Sequence, residues 1–228
     1  MKSDFSFEIK IVYDNICAQP GFLKGFGFSA LIYNNFSKSH LLFDTGSKGD
    51  ILVQNINKFN VKVSEIKKVI ISHNHYDHAG GLKEIYRINP DIEIYVPLRD
   101  IKSFIKAYPE AQVQGISEMI EVDKNIFSSG QFGSRFLAEQ SLFLKTEMGS
   151  LILLVGCSHP GLEQFILKGQ TISNIRAVIG GFHGFRDLSF LEEIEFVGAC
   201  HCTQKIREIK QRFPEQFKDV CVGNSYSF

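Results

Sequence analysis

The stretch His73-Asn-His-Tyr-Asp-His-Ala-Gly-Gly81 places three imidazoles and one carboxylate within six positions and closes on two glycines. So many polar heads in one short loop are costly to hold together without a cation to share. Divalent metals such as zinc take these ligand types. The loop reads as one built to hold two metal ions.

Its surroundings fit that reading. Upstream, Lys68-Val-Ile-Ile-Ser72 is a short β-branched run that predicts a buried strand, so the ligands begin where the strand ends. In an extended stretch His73 and His75 project to the same side and can share one metal, while the turning chain carries Asp77 and His78 toward a second. Gly80 and Gly81 predict a tight turn into Leu82-Lys-Glu-Ile-Tyr-Arg-Ile88, whose apolar residues recur at helical spacing. The motif sits on a strand–loop–helix corner.

Further out, 228 residues with 44% hydrophobic content can bury one sizeable core, and a single domain over residues 1–228 is expected. Twenty-five basic residues balance 25 acidic ones, which gives no electrostatic case for nucleic-acid or membrane binding; the expected partner is a small molecule. Met1-Lys-Ser-Asp-Phe-Ser-Phe-Glu8 enters an alternating pattern with no apolar signal segment before it, and no stretch is long enough to span a bilayer, so a cytoplasmic location is expected. The five cysteines are odd in number and scattered, unlike a secreted disulfide framework. Reduced thiols are expected, with Cys17 and Cys221 as buried structural residues and Cys157, Cys200 and Cys202 beside histidines.

Strand-like segments recur at Phe7–Tyr13, Ser29–Tyr33, His40–Phe43, Val69–Ser72, Glu93–Val96, Ser141–Lys145, Leu151–Val155, Arg176–Ile179 and Glu195–Val197. Helical patterns fall at Asp50–Lys58, Leu82–Ile88, Arg99–Ala107, Leu162–Leu167 and Thr203–Phe213, the last stopped by Pro214. This order predicts an α/β chain with sheets covered by helices on their outer faces. Pro109 to Phe136 has weak periodicity and several Gly and Ser residues, and reads as irregular, a candidate lid. Three later strands each run through glycine into a histidine: Leu151–Val155 into Gly156-Cys-Ser-His159, Arg176–Ile179 into Gly180-Gly-Phe-His183, and Glu195–Val197 into Gly198-Ala-Cys-His201. Lying side by side, these strands would deliver three more imidazoles to the rim that carries the first cluster.

Together these residues resemble the metallo-β-lactamase fold. His73, His75, Asp77 and His78 match its defining motif, and Leu41-Leu-Phe-Asp-Thr-Gly46 is similar to its preceding strand and turn. The resemblance extends over essentially the whole chain and implies a four-layer αβ/βα sandwich with a dinuclear site at one edge, where Asp44 buttresses the metal loop. Gly156-Cys-Ser-His-Pro-Gly161, Gly180-Gly-Phe-His183 and His201-Cys-Thr203 resemble the dihydropterin-methyl-ribofuranosylaminobenzene-phosphate synthase-like branch. Two departures stand out. The family's additional histidine is absent, the region reading Glu139-Gln-Ser-Leu142, and Gly156-Cys157 stands where a bridging aspartate is expected. The resemblance then implies that His159 joins His73 and His75 at a first metal while Asp77, His78 and His201 hold a second, with Cys157 bridging or approaching both. In an alternative, one site is weak and the enzyme is mononuclear.

This implies a metal-dependent hydrolase, or a related transferase, acting on a small ester, phosphate ester or pterin-like molecule through two divalent ions, zinc first, with manganese or iron as alternatives. Asp77 orients the nucleophilic water or serves purely as a ligand. His183 is the candidate proton donor or phosphate contact, or else supports a ligand from behind. Two other classes are weighed. An iron-dependent dioxygenase or oxidoreductase of the same fold would hold one iron, although His75 departs from the HxExD pattern of the diiron branch. A noncatalytic binding domain would be expected to have lost its ligands, and the first cluster is intact.

Overall fold

Apolar side chains in the amino-terminal strands alternate between two cores: Leu41 and Phe43 face one, Leu42 the other, as the two-residue period of a strand requires. In the computed structural model, which describes residues 5–228, that alternation builds two sheets enclosing a common core. Met1–Asp4, part of the amino-terminal stretch read above, lies outside the described residues.

The first sheet contains β1 (Phe7–Tyr13), β2 (Ser29–Asn34), β3 (Ser39–Phe43), β4 (Ile66–Ile70), β5 (Glu93–Pro97) and β6 (Gln112–Ile116) in sequence order. The second begins with β7 (Ile120–Asp123) and β8 (Ile126–Ser128). A small ribbon of β9 (Phe132–Gly133) and β10 (Ala138–Glu139) follows. The second sheet is completed by β11 (Leu142–Lys145), β12 (Leu151–Val155), β13 (Ile175–Gly181) and β14 (Phe196–Cys200), in the order β14-β13-β12-β11-β8-β7. Finally β15 (Ser225–Ser227) returns to pair antiparallel with β1.

Helices cover both outer faces. Leu52 and Ile56 of α1 (Gly49–Lys58) share one buried core with Leu42, Val69 and Ile94, and α2 (Tyr76–Ala79) is the short turn inside the ligand loop. Leu82 and Ile85 of α3 (Leu82–Ile88) and Phe104 of α4 (Ile101–Ala107) complete that layer. On the opposite side, Phe165 and Ile166 of α5 (Leu162–Gln170) and Ile209 of α6 (Ile206–Arg212) cover Leu153, Val155 and Val178. Between the sheets lie Phe7, Ile9, Leu41, Phe43, Leu142, Leu154 and Ile179. The result is the four-layer arrangement that the sequence led us to expect. Every residue of β12 is buried, because helix and sheet cover its two faces.

The strand directions position the site. β3, β4 and β5 run parallel, and β12, β13 and β14 run parallel in the second sheet, with Val155 opposite Gly180 and Gly180 opposite Ala199. Open sheets of this kind build sites where the carboxyl ends of parallel strands emerge.

Three expectations need correction. Residues 109–136 are not an irregular lid: they contain β6, β7, β8 and part of the ribbon. β6 is an edge strand with the burial pattern exposed–intermediate–exposed–intermediate–buried, so it carries little of the apolar alternation that marks a strand in sequence. Cys17 and Cys221 are joined in a disulfide across a sequence separation of 204, and both are half-buried. The pairing of β15 with β1 and a bridge between Ala18 and Val222 bring the two segments together. Gly80 and Gly81 do form the expected turn into α3, but with ordinary helical backbone angles rather than through glycine's conformational freedom, and their role is space: a Cβ at Gly81 would run into the Thr45 carbonyl, and one at Gly80 into those of Tyr76 and Ser47. No helix among the described residues is long and apolar enough to cross a membrane.

Candidate metal centre

His73 leaves the end of β4 and is fully buried; its Nε2 lies 3.0 Å from His75 Nδ1. His159, from the loop after β12, brings its ring to 4.7 Å from that of His73 and 5.0 Å from that of His75. The ligand atoms of these three histidines lie within 4.8 Å of one another. A second group, Asp77, His78, Cys157 and His201, meets the same limit. His78 Nε2 is 3.1 Å from Cys157 Sγ, and His201 Nε2 is 3.2 Å from Asp77 Oδ2. The six residues read from the sequence, with Cys157, thus converge as two adjoining groups. His183 stands apart from both. It is exposed, with its ring 5.0 Å from that of His159.

What lies behind the imidazoles is as informative. Asp44 is fully buried; its Oδ1 accepts the Ser72 amide at 2.6 Å, and its Oδ2 accepts the Ser72 hydroxyl and the Nδ1–H of His78, each at 2.7 Å. Burial pushes the Asp44 carboxyl up, against the pull of Ser72. Burial, and then the neighbouring His201, hold His78 down to about 3, so its imidazole is neutral and its Nε2 lone pair faces Cys157. The Ser72 hydroxyl also bonds His73 Nδ1 at 2.9 Å. His201 Nδ1 bonds Asn15 Oδ1 at 2.6 Å, and the His201 amide donates to Asp14 at 2.9 Å. In each of these histidines an oxygen occupies Nδ1, which fixes the ring and leaves Nε2 for the site.

Glu139 does the same for His159. This fully buried carboxylate accepts the amides of Cys157, Ser158 and His159, each at 2.8 Å, and His159 Nδ1 at 3.0 Å. Burial works to raise Glu139, but its bonds to His159 and the charge of His73 bring it down to about 2. In the region where the resemblance led to the expectation of a histidine, this carboxylate organises the loop carrying His159. Glu139, Asp14 and Asn15 were not singled out from the sequence as site residues. The available signal was a carboxylate in an otherwise uncharged buried stretch for Glu139, and an Asp-Asn pair at the end of the first strand for the other two.

The donor set fits the divalent metals this arrangement implies. His201 Nε2 is buried and has no hydrogen-bond partner, Asp77 lying near it but outside hydrogen-bonding geometry. A cation would satisfy that orphaned lone pair, and mixed imidazole, carboxylate and thiolate ligands suit zinc. Backbone strain gathers at the same rim. Asp44, Ser158, His183 and His201 adopt left-handed φ values of 58°, 60°, 41° and 49°, a conformation that non-glycine residues hold only when the surroundings enforce it.

Comparison with known proteins agrees with this geometry. The Metallo-beta-lactamase superfamily profile matches residues 24–129. The chain is 28% identical over 223 residues to the 7,8-dihydropterin-6-methyl-4-(beta-D-ribofuranosyl)-aminobenzene-5'-phosphate synthase of Methanocaldococcus jannaschii, covering 72% of this chain and 76% of that protein. It is 33% identical over 145 residues to an uncharacterised protein of the same organism, across 50% of this chain and 57% of the relative. Among solved structures, a metal-dependent hydrolase of the beta-lactamase superfamily superposes with a TM-score of 0.78 at 26% identity, covering 97% of this chain and 99% of that one. The metallo-beta-lactamase fold protein YhfI from Bacillus subtilis shares the fold, with a TM-score of 0.70 at 15% identity over 97% and 99% of the two chains. From its ligand loop to its layered sheets, this chain is similar to proteins of the Metallo-beta-lactamase superfamily and shares their fold.

Proposed function

We propose that residues 1–228 form one metallo-β-lactamase-like domain that acts as a metal-dependent hydrolase or related transferase on a small phosphate ester, ester or pterin-like molecule. The observation that carries this reading is the pair of adjoining ligand groups, His73/His75/His159 and Asp77/His78/Cys157/His201, in which His73, His78, His159 and His201 are anchored at Nδ1 by oxygen atoms and keep Nε2 for the site, while His75 faces His73 through Nδ1. Divalent ions held there, zinc first, would supply a water of lowered pKa and a clamp for a leaving oxygen.

The chain's own residues do the rest. Asp77 is half-buried at the mouth of the centre, where its carboxylate can orient the attacking oxygen. His183 stands over His159 from the solvent side, in place to hand a proton to a leaving group. Ser72, Asp44, Glu139 and Asn15 keep the ligand rings fixed, so no reorganisation is needed when substrate arrives. The M. jannaschii relative's product joins a dihydropterin, an aminobenzene ring and a ribofuranosyl 5'-phosphate, and this supports a substrate carrying one or more of those parts.

The test is elemental analysis of protein purified without chelator, beside the His75→Ala variant, followed by a screen of phosphoesters and lactones. About two zinc or manganese ions per chain, reduced in the variant and accompanied by turnover, supports the proposal. One iron per chain with oxygen consumption replaces it with the dioxygenase reading.

A further inference from the structure

Beside His159 the surface opens into a cavity of about 420 Å³ with walls formed by the loop after β12 and the segment between β13 and the 3-10 turn Leu188–Leu191. It is of the size that takes a small ligand. Its first wall belongs to the centre already described, through Ser158 and His159. The other carries His183, Arg186 and Asp187, with Glu163 at the start of α5. The proposed reaction at the metal groups uses neither Arg186 nor the two carboxylates.

The charges in this cavity are mixed, and their bonding distinguishes them. Arg186 is exposed, and among the described residues its guanidinium makes no ion pair or side-chain hydrogen bond. Asp187 spends Oδ1 on the amide and hydroxyl of Ser189, at 3.2 and 2.6 Å, and its Oδ2 accepts no hydrogen bond from the described residues. The Glu163 carboxylate folds back against Gly161. A bare anion would meet one guanidinium and two carboxylates, which is a poor site. A ligand that carries an anionic group at one end and hydroxyls next to it satisfies all three, because a guanidinium pairs bidentately with phosphate while carboxylates accept hydroxyl protons.

We propose that this cavity is the subsite for a pentose phosphate portion of the substrate, with Arg186 taking the phosphate and Glu163 and Asp187 the ribose hydroxyls. The proposal deepens the functional reading above and rests on it. His183 and His159 both line the cavity with their rings 5.0 Å apart, so the sugar-bearing arm would lie beside the reacting centre.

Calorimetric titration of the metal-loaded protein with ribose 5-phosphate, ribose and inorganic phosphate tests this. The wild type is expected to bind ribose 5-phosphate at least tenfold more tightly than either fragment. Arg186→Ala should weaken ribose 5-phosphate binding by about 10- to 100-fold while inorganic phosphate, captured at the metal groups, changes less than twofold; Arg186→Lys should recover part of the loss. Glu163→Gln should weaken ribose and ribose 5-phosphate in parallel. Equal affinity of wild type and Arg186→Ala for ribose 5-phosphate overturns the proposal, as does a wild type that binds inorganic phosphate as tightly as the sugar phosphate. Metal content measured on the same preparations separates the two readings. A metal-loaded chain without sugar-phosphate discrimination loses only the subsite, whereas discrimination in a chain that retains no metal leaves the subsite standing and removes the metal-dependent reaction.

Discussion

Among individual residues, the two carboxylates behind the ligands have the clearest consequences. Asp44 holds both Ser72 and His78, so Asp44→Ala frees two supports at once. Loss of such a partner typically costs 10- to 100-fold in metal affinity, and chelator competition should show a drop in that range. Glu139→Gln keeps the shape but turns an N–H donor toward loop amides that need an acceptor. A cost of about 2–3 kcal/mol in denaturant unfolding is expected, together with weaker metal retention by the His73/His75/His159 group. The Glu139 carboxyl is lowered in the folded chain to about 2 from 4.5. Its contribution to stability is therefore present above pH 4.5 and fades as pH falls from there toward 2, so this part of the acid limb should vanish in Glu139→Gln when both proteins are measured metal-free. The ligands were legible in sequence because their chemistry is packed into six consecutive positions. Glu139 acts on residues 18 to 20 positions away, and Asp14 and Asn15 reach His201 across 187 and 186 positions. Nothing local marks such partners.

Secondary-structure elements were legible in proportion to burial. β12 is a continuous apolar run covered on both faces and β13 is buried except at Arg176, and the three repeats of strand, glycine and histidine suggested strands lying side by side, which β12, β13 and β14 do. Strands β6 and β7 lie at sheet edges and β9 in a ribbon, where polar residues face water and the alternation is lost, and β8, paired on both sides, is only three residues long. Helix α5 ties the His159 loop to the second sheet through Phe165, which is fully buried. Phe165→Ala should cost about 3–5 kcal/mol in thermal or denaturant unfolding while leaving the number of metal ions per folded chain unchanged. A metal count that falls in step with stability would instead show that α5 governs the site directly.

Across the whole molecule, the layered two-sheet fold followed from the ligand loop and the strand ends, whereas the tie between the chain's two ends did not. Cys17 and Cys221 are 204 positions apart and become neighbours only once β15 has docked on β1. Closing so long a loop restricts the unfolded chain, and the Cys17→Ser/Cys221→Ser double variant should lose about 2–5 kcal/mol, read as a lower midpoint in urea under non-reducing conditions. Reductant should bring the wild type to the same midpoint and leave the variant unmoved. The left-handed residues at the rim have a different kind of consequence. Asp44, Ser158, His183 and His201 each hold a backbone shape that a glycine would adopt at less cost. Under laboratory evolution for heat resistance alone, with catalysis unscored, these are the positions where a lineage gains persistence by discarding chemistry. Their retention in surviving clones would measure how strongly the reaction itself is under selection.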